Sequence, residues 1–318
     1  MENQIEIEYK SVSVVKRFFS KFVDLFIIVF TCFVFFSLSN MFIVKNVDGY
    51  KNLINTQNKL KIESNLYLED GTYVIDYVNT ESFTNYESKK DYLSSTIEKF
   101  YTNQTFFNDS TYKNQYYQRA LESKDSSSNL LFKLENGVLK ENNLKPEDCY
   151  NFYKDEIENH CIGYLFNNSE YSNCTRLISL SLIITAFICL FISYVIYRVV
   201  LPLTCFKRGK QTLGMKLFKI SYVGVDAFSV SGTKYVLKSI FDFIVYYLLN
   251  IVSFLIPLII SIGMMFLSKS GQDLSEYVFN VYPIDTKNDD VYTCYLEYLD
   301  GLDSKKRASI ENNDFKLK

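Results

Sequence analysis

KRGKQTLGMKLFKISYV, residues Lys207 to Val223, carries Lys207, Arg208, Lys210, Lys216 and Lys219 with no acid, and it lies between two long apolar blocks. Lys and Arg close to membrane ends are retained on the cytoplasmic side during insertion. The stretch therefore predicts a membrane protein and places itself inside the cell.

Upstream of it, Leu177 to Tyr197 is 21 residues long without a charge, closed by Arg198 and Pro202. At about 1.5 Å per residue such a run spans a hydrocarbon core of about 30 Å. A second run, Phe22 to Val44, holds one charge, Asp24, and follows Lys10, Lys16, Arg17 and Lys21. The basic head predicts a cytoplasmic N-terminus and an outward first helix, and the second helix then returns the chain inward to the basic stretch. The two inferences are independent and agree.

The organisation expected is a head (1–21), a first span (22–44), an extracytoplasmic insertion (45–176), a second span (177–200) and a cytoplasmic basic loop (201–234). A third apolar block (235–267) and a cytoplasmic tail (268–318) follow. The third block is 33 residues long and is interrupted by Lys238, Asp242, Asn250, Pro257 and Gly263. It is too long for one upright helix and short for two, which predicts a helical hairpin, or an interfacial helix plus a kinked span. The fold class expected is mainly α, with three to four membrane segments and a mixed α/β or irregular insertion. Within the insertion, Leu93 to Phe107 and Lys145 to Glu158 read as helices, the second with Pro146 in its first turn, and Thr72 to Val78 alternates.

Composition narrows the function classes. The chain has 318 residues and a net charge of -2, so no basic field points to nucleic acid. Its single histidine, His160, removes most catalytic and metal constellations. No nucleophile, base and orienting group stand together, and the expectation is a non-enzyme without cofactor or metal. Cys149, Cys161 and Cys174 fall in the insertion, where an oxidising milieu would allow one disulfide. They read as an unpaired or variably paired set. Sequons at Asn103, Asn108, Asn167 and Asn173 arise by chance in so Asn-rich a chain.

The candidate polar site within the apolar segments is Arg17, Asp24, Lys238, Asp242 and Asp273. Arg17 and Asp24 are seven apart, two turns on one helical face. Lys238 and Asp242 are four apart, within ion-pair reach on one face. Carboxylates in such segments are costly unless paired or wetted, and mark either a functional site or a contact between helices. A working site would bring Asp24 and Asp242 together with Lys238 and Arg17 as counter-charges. Lys207, Arg208, Lys210 and Lys216 read as contacts for anionic lipid headgroups. The expected partners are the lipid bilayer and a second copy of the chain or another membrane protein. The rival reading is a membrane anchor whose outer domain binds a partner or ligand without transport.

Three stretches carry a resemblance to the RDD family of small bacterial membrane proteins. RFFSKFVD (Arg17 to Asp24) resembles the Arg and Asp at the start of the family's first helix. GKQTLGMKLFKISYV (Gly209 to Val223) is similar to its cytoplasmic T-x-G segment, with Thr212, Gly214 and Lys216 in register. GQDLSEYVFNVYPID (Gly271 to Asp285) resembles its closing Asp and short extended stretch, which makes Asp273 the second Asp. The match covers roughly residues 10–44 and 177–285. Met215 and Lys238 depart from the commoner Lys and Arg, no His precedes Asp273, the small residue and Thr that often follow it are missing, and the outer insertion is unusual. The resemblance implies a plasma-membrane protein of a family suspected of small-solute or ion transport. It also implies that Asp273 lies at the cytoplasmic surface beside Gly209 to Lys219, with an even number of crossings.

Overall fold

The computed structural model of the protein describes residues 9–107, 110–142, 145–267, 271–287 and 290–304. The sequon at Asn108 and the tail beyond 304 lie outside the described residues. The chain divides into two compact units, one built from residues 1–38 and 185–318, the other from 39–184.

Helix α1 runs Val14–Asn46. Residues 14–43 have a mean hydropathy of 2.4, yet only 11% of the most apolar window is buried. Phe18, Phe22, Phe26, Phe30 and Phe33 all point outward. A helix apolar all round and left uncovered by protein has the surface that acyl chains solvate. The same holds for residues 169–204, with the same hydropathy and 17% of the window buried. Among the described residues two helices are thus long and apolar enough to cross a membrane, against the three or four segments expected.

The second unit is mainly helical, where a mixed α/β or irregular region was expected. It contains α2 (Asp48–Glu63), α3 (Val74–Val78), α4 (Tyr86–Tyr101) and α5 (Thr111–Glu122). A hairpin of β1 (Phe132–Glu135) and β2 (Val138–Glu141) follows, then α6 (Pro146–Glu156) and α7 (Ile162–Asn167). The hairpin turns on Asn136 and Gly137, both at positive φ (52° and 78°), as a two-residue type I′ connection requires. Helix α4 starts seven residues before the expected Leu93, because Asn85 caps it through Ser88 N–H, and it stops at Tyr101 rather than Phe107. Thr72 to Val78 is not a strand; Val74 to Val78 forms α3. The core is aromatic, with Phe100, Tyr101, Phe107, Tyr116 and Phe132 all buried. Glu156 is buried among them, and accepts from Arg119 at 2.9 Å and from the Tyr101 hydroxyl at 2.6 Å.

Helix α8 (Ser169–Val195) begins in the second unit and ends in the first, where it passes through a wide turn into α9 (Leu201–Thr204), followed by α10 (Leu213–Leu217) and β3 (Ile220–Val223). The third apolar block is a helical hairpin. Its first arm is α11 (Gly232–Phe243), continued by a π-helical stretch (Ile244–Leu249) and α12 (Asn250–Val252). The chain reverses at Phe254 and Leu255, both in the left-handed region (φ 50° and 67°), and α13 (Ile256–Leu267) returns. The arms are tied by Tyr246 and Ser261, whose hydroxyls are 2.7 Å apart, and by Asn250, which accepts from Leu258 N–H at 3.2 Å. At 12 residues α13 is about 18 Å long, too short to cross the roughly 30 Å core. Short α14 (Leu274–Val278) and β4 (Tyr282–Asp285) close the unit, with β4 antiparallel to β3 in the register Ile220 to Asp285.

Candidate functional site

The polar residues of the first unit assemble around one face of α1. Arg17, Ser20, Asp24 and Ile28 are all at most 5% exposed, a stripe at helical spacing on an otherwise uncovered helix. Asp24 meets the T-x-G segment. Its Oδ2 accepts from the Thr212 hydroxyl and its Oδ1 from the Gly214 backbone N–H at 2.8 Å. Thr212 simultaneously caps α10, its hydroxyl accepting from Met215 N–H. A Cβ at Gly214 would collide with the Ser20 carbonyl oxygen and sit 3.0 Å from the Asp24 carboxylate, so only glycine lets α10 approach α1 this closely. The Arg198 guanidinium stands 3.7 Å from the same carboxylate.

Two turns before Asp24, Arg17 donates to Glu276 and to the Gly271 carbonyl, and one turn before it Lys21 pairs with Asp273. Asp273 and Glu276 form a reciprocal capping box at the start of α14. The Tyr222 hydroxyl adds a 3.2 Å bond to Glu276. Burial would push the Asp273 carboxyl up, but the charges of Lys21 and Lys238 win and hold it well below the usual carboxylate range. Lys16 pairs with Asp285 at 2.6 Å, and Lys10 O accepts from Asp285 N–H, which ties the head of the chain to β4.

Lys238 and Asp242 pair at 2.8 Å, both almost fully buried, with the ammonium 4.9 Å above the centre of the Tyr222 ring. Asp242 Oδ1 has no hydrogen-bond partner among the described residues. Both residues line a cavity of about 560 Å³, together with Arg198, Tyr246, Tyr247 and apolar side chains of α1 and α13.

Of the five residues expected to form a site, all lie in this unit, in four separate pairings. Asp24 and Asp242 do not share a contact as the working site required. Asp24 is committed to Thr212 and Gly214, and Arg17 to Glu276, because each of those partners offers a bond at the end of α1. Sequence reasoning missed Glu276, Lys21, Arg198 and Tyr222. The Asp273-x-x-Glu276 spacing of a capping box was the available signal for the first.

Among the basic residues, Arg208 pairs with Glu297 at 3.1 Å and Lys210 donates to the Lys207 carbonyl. Lys216 lies over the Phe206 ring, 5.5 Å from its centre. Cys149, Cys161 and Cys174 are buried and unpaired. No group of three His, Cys, Asp or Glu residues able to hold a metal ion occurs among the described residues. No family model, curated protein or solved structure matches this chain.

Proposed function

We propose that the chain is a plasma-membrane protein of the RDD type that binds a small solute or ion for transport in the cavity beside Lys238 and Asp242. Helices α1 and α8 cross the bilayer, and the helical second unit lies outside the cell. One observation carries the reading: the buried Lys238–Asp242 pair forms part of the wall of a cavity of the first unit. Ionisable groups at membrane depth are rare because they are costly, and they face pathways or partners.

The orientation follows from the chain's contacts and its charges. Lys219 O accepts from Thr286 N–H, and Lys21 pairs with Asp273, so the segments before and after the third block both sit at the amino end of α1. The block therefore enters and leaves on one side, as a re-entrant hairpin. Basic residues cluster at that end, which supports placing it in the cytoplasm. Arg17, Asp24 and Asp273 serve as the frame that holds the hairpin in place.

Reconstitution into liposomes tests the reading. Sodium and potassium movement is followed with sodium- and potassium-sensitive dyes trapped inside the liposomes. The intact protein should move at least one of them, and Asp242→Asn should abolish that movement while the protein still inserts. Rates equal to protein-free liposomes, or rates indifferent to the substitution, reject it.

A further inference from the structure

Five residues of α1 that line the cavity, Phe18, Lys21, Phe22, Leu25 and Val29, fall on one helical face and run from basic to apolar along it. Lys21 stands at the level of the capping box, where it meets Asp273, and Val29 lies eight residues, about 12 Å, further along the helix. The hairpin wall has the same order. Lys238 lies over the Tyr222 ring, whose hydroxyl reaches Glu276 of that capping box, while Leu255 sits at the reversal and Leu258 one turn past it. Between them Asn250 bonds Leu258 N–H and the Tyr246 carbonyl, and Ser261 bonds the Tyr246 hydroxyl, so these polar side chains are spent inside the hairpin. Chain order on both walls gives the cavity a basic level and an apolar level. Phe22 and Val29 are 56% and 53% exposed, so the α1 wall borders the uncovered surface that acyl chains solvate.

Moving an aliphatic chain from a bilayer into an apolar cavity gains little, because lipid tails are as apolar as leucine. Preference for one lipid over the rest has to come from the basic level. There Lys21, Arg198 and Lys238 face a single carboxylate, Asp242, in the wall; Asp273 and Asp24, which match Lys21 and Arg198, do not line the cavity. The most accessible of these charges is Lys21. Its side chain is 32% exposed, and among the described residues its ammonium gives one of three N–H groups, to Asp273. A partly exposed cation with donors to spare attracts a carboxylate and repels an ammonium.

We propose that the cavity takes a single-chain lipid with an anionic head, a long-chain carboxylate, from the bilayer. Its carboxylate accepts from Lys21 Nζ, and its chain lies along Leu25 and Val29 against Leu258 and Ile262 of α13. The volume of about 560 Å³ is that of a pocket for a drug-sized molecule, which suits one chain rather than the two of a phospholipid. This rests on the cavity being the binding site of the first unit, as proposed above, and it names the class of molecule bound.

Native mass spectrometry of the full chain in detergent, titrated at alkaline pH with oleate, oleylamine or 1-oleoylglycerol, tests it. One oleate should bind saturably, about tenfold more tightly than either analogue, which is what one hydrogen bond to a charged group contributes. Lys21→Gln combined with Asp273→Asn keeps the charge balance and a side chain able to cap α14. It should weaken oleate binding about tenfold and leave 1-oleoylglycerol unchanged. Val29→Trp, on an exposed face of α1, should block the chain and abolish oleate binding. Equal or tighter binding of oleylamine or 1-oleoylglycerol to the unaltered protein overturns the inference, as does a preference for oleate that survives the double variant. Ion movement that depends on Asp242, without a preference for oleate, leaves the transport reading standing and removes the lipid. A Lys21-dependent preference for oleate without any ion movement upholds the lipid and rejects transport.

Discussion

Asp24 accepts the backbone N–H of Gly214 at 2.8 Å, joining positions 190 residues apart. The bond explains three features of the sequence at once. The carboxylate at the end of α1 needs donors because it is buried; Thr212 and Gly214 N–H are those donors; and Gly214 must lack a side chain for them to reach. Gly214→Ala forces a methyl into the Ser20 carbonyl, and overpacking of this kind costs about 1–3 kcal/mol. Thr212→Val removes one donor and the α10 cap, leaving a buried acceptor short at a cost of about 1–3 kcal/mol. Thermal unfolding of the detergent-solubilised protein should fall for each. The double variant should fall by less than the sum, because both substitutions disrupt one contact.

Arg17 and Glu276 form the most deeply buried ion pair, at 3% and 1% exposure of their side chains. Removing one partner of such a pair strands a charge, at about 3–5 kcal/mol. Arg17→Met should therefore lower the melting temperature sharply. Glu276→Leu should lower it further, since Asp273 N–H and the Tyr222 hydroxyl also lose their acceptor. Combining the two should recover part of the loss of Arg17→Met, which the same melting measurement reads.

These partners divide cleanly into what was legible in the sequence and what was not. That Arg17 and Asp24 share one face follows from helical spacing alone, and the basic stretch and apolar lengths mark α1 and α8. The spacing Asp273-x-x-Glu276 marks a capping box, but the pairing of Glu276 with Arg17 was not legible, because it depends on chain closure that brings α14 to α1. The reversal at Phe254 and Leu255 was hidden for a different reason. Two bulky residues hold positive φ where glycine or asparagine would have signalled a turn. In the second unit the readings over Leu93 to Phe107 and Lys145 to Glu158 found α4 and α6 with shifted ends, while α2, α3 and α5 had no such signal, and the aromatic core appears only when α4, α5 and α6 pack.

Acid should unfold the first unit partly through Asp273. Its folded-state pKa is depressed below the unfolded value of about 3.9, so its contribution is present above that value and lost as pH falls below it. Melting temperatures from pH 6 to pH 2.5 should be flat at first and then fall below about pH 4. Asp273→Asn should be less stable at pH 6 and should show a shallower fall. An equal acid slope in both proteins would remove Asp273 from the account.

Thiol chemistry separates the two classes of cysteine. Burial pushes the Cys149 thiol up to about 11 and raises Cys161 further, while Cys205 and Cys294 are exposed. Thiolate is the reactive form, so alkylation of the folded protein at pH 7.5 should modify Cys205 and Cys294 first. Cys149 and Cys161 should react only after denaturation. Peptide mass spectrometry before and after adding denaturant reads both steps.

Topology is best tested where side chains are accessible. Gln211 is 9% exposed and its amide donates to Ile220 O and Ser221 Oγ, so it is a poor labelling position despite lying in the basic stretch. Exposed Cys205, just before that stretch, reports the same side without disturbing it. In intact cells a membrane-impermeant maleimide should leave Cys205 unlabelled until lysis. In a version lacking the other cysteines, Ser82→Cys, exposed in the second unit, should react at once. Labelling of Cys205 in intact cells would invert the orientation. The Lys21–Asp273 pair would then lie outside together with it, because the contacts at the amino end of α1 hold those segments on one side whichever way the protein is inserted.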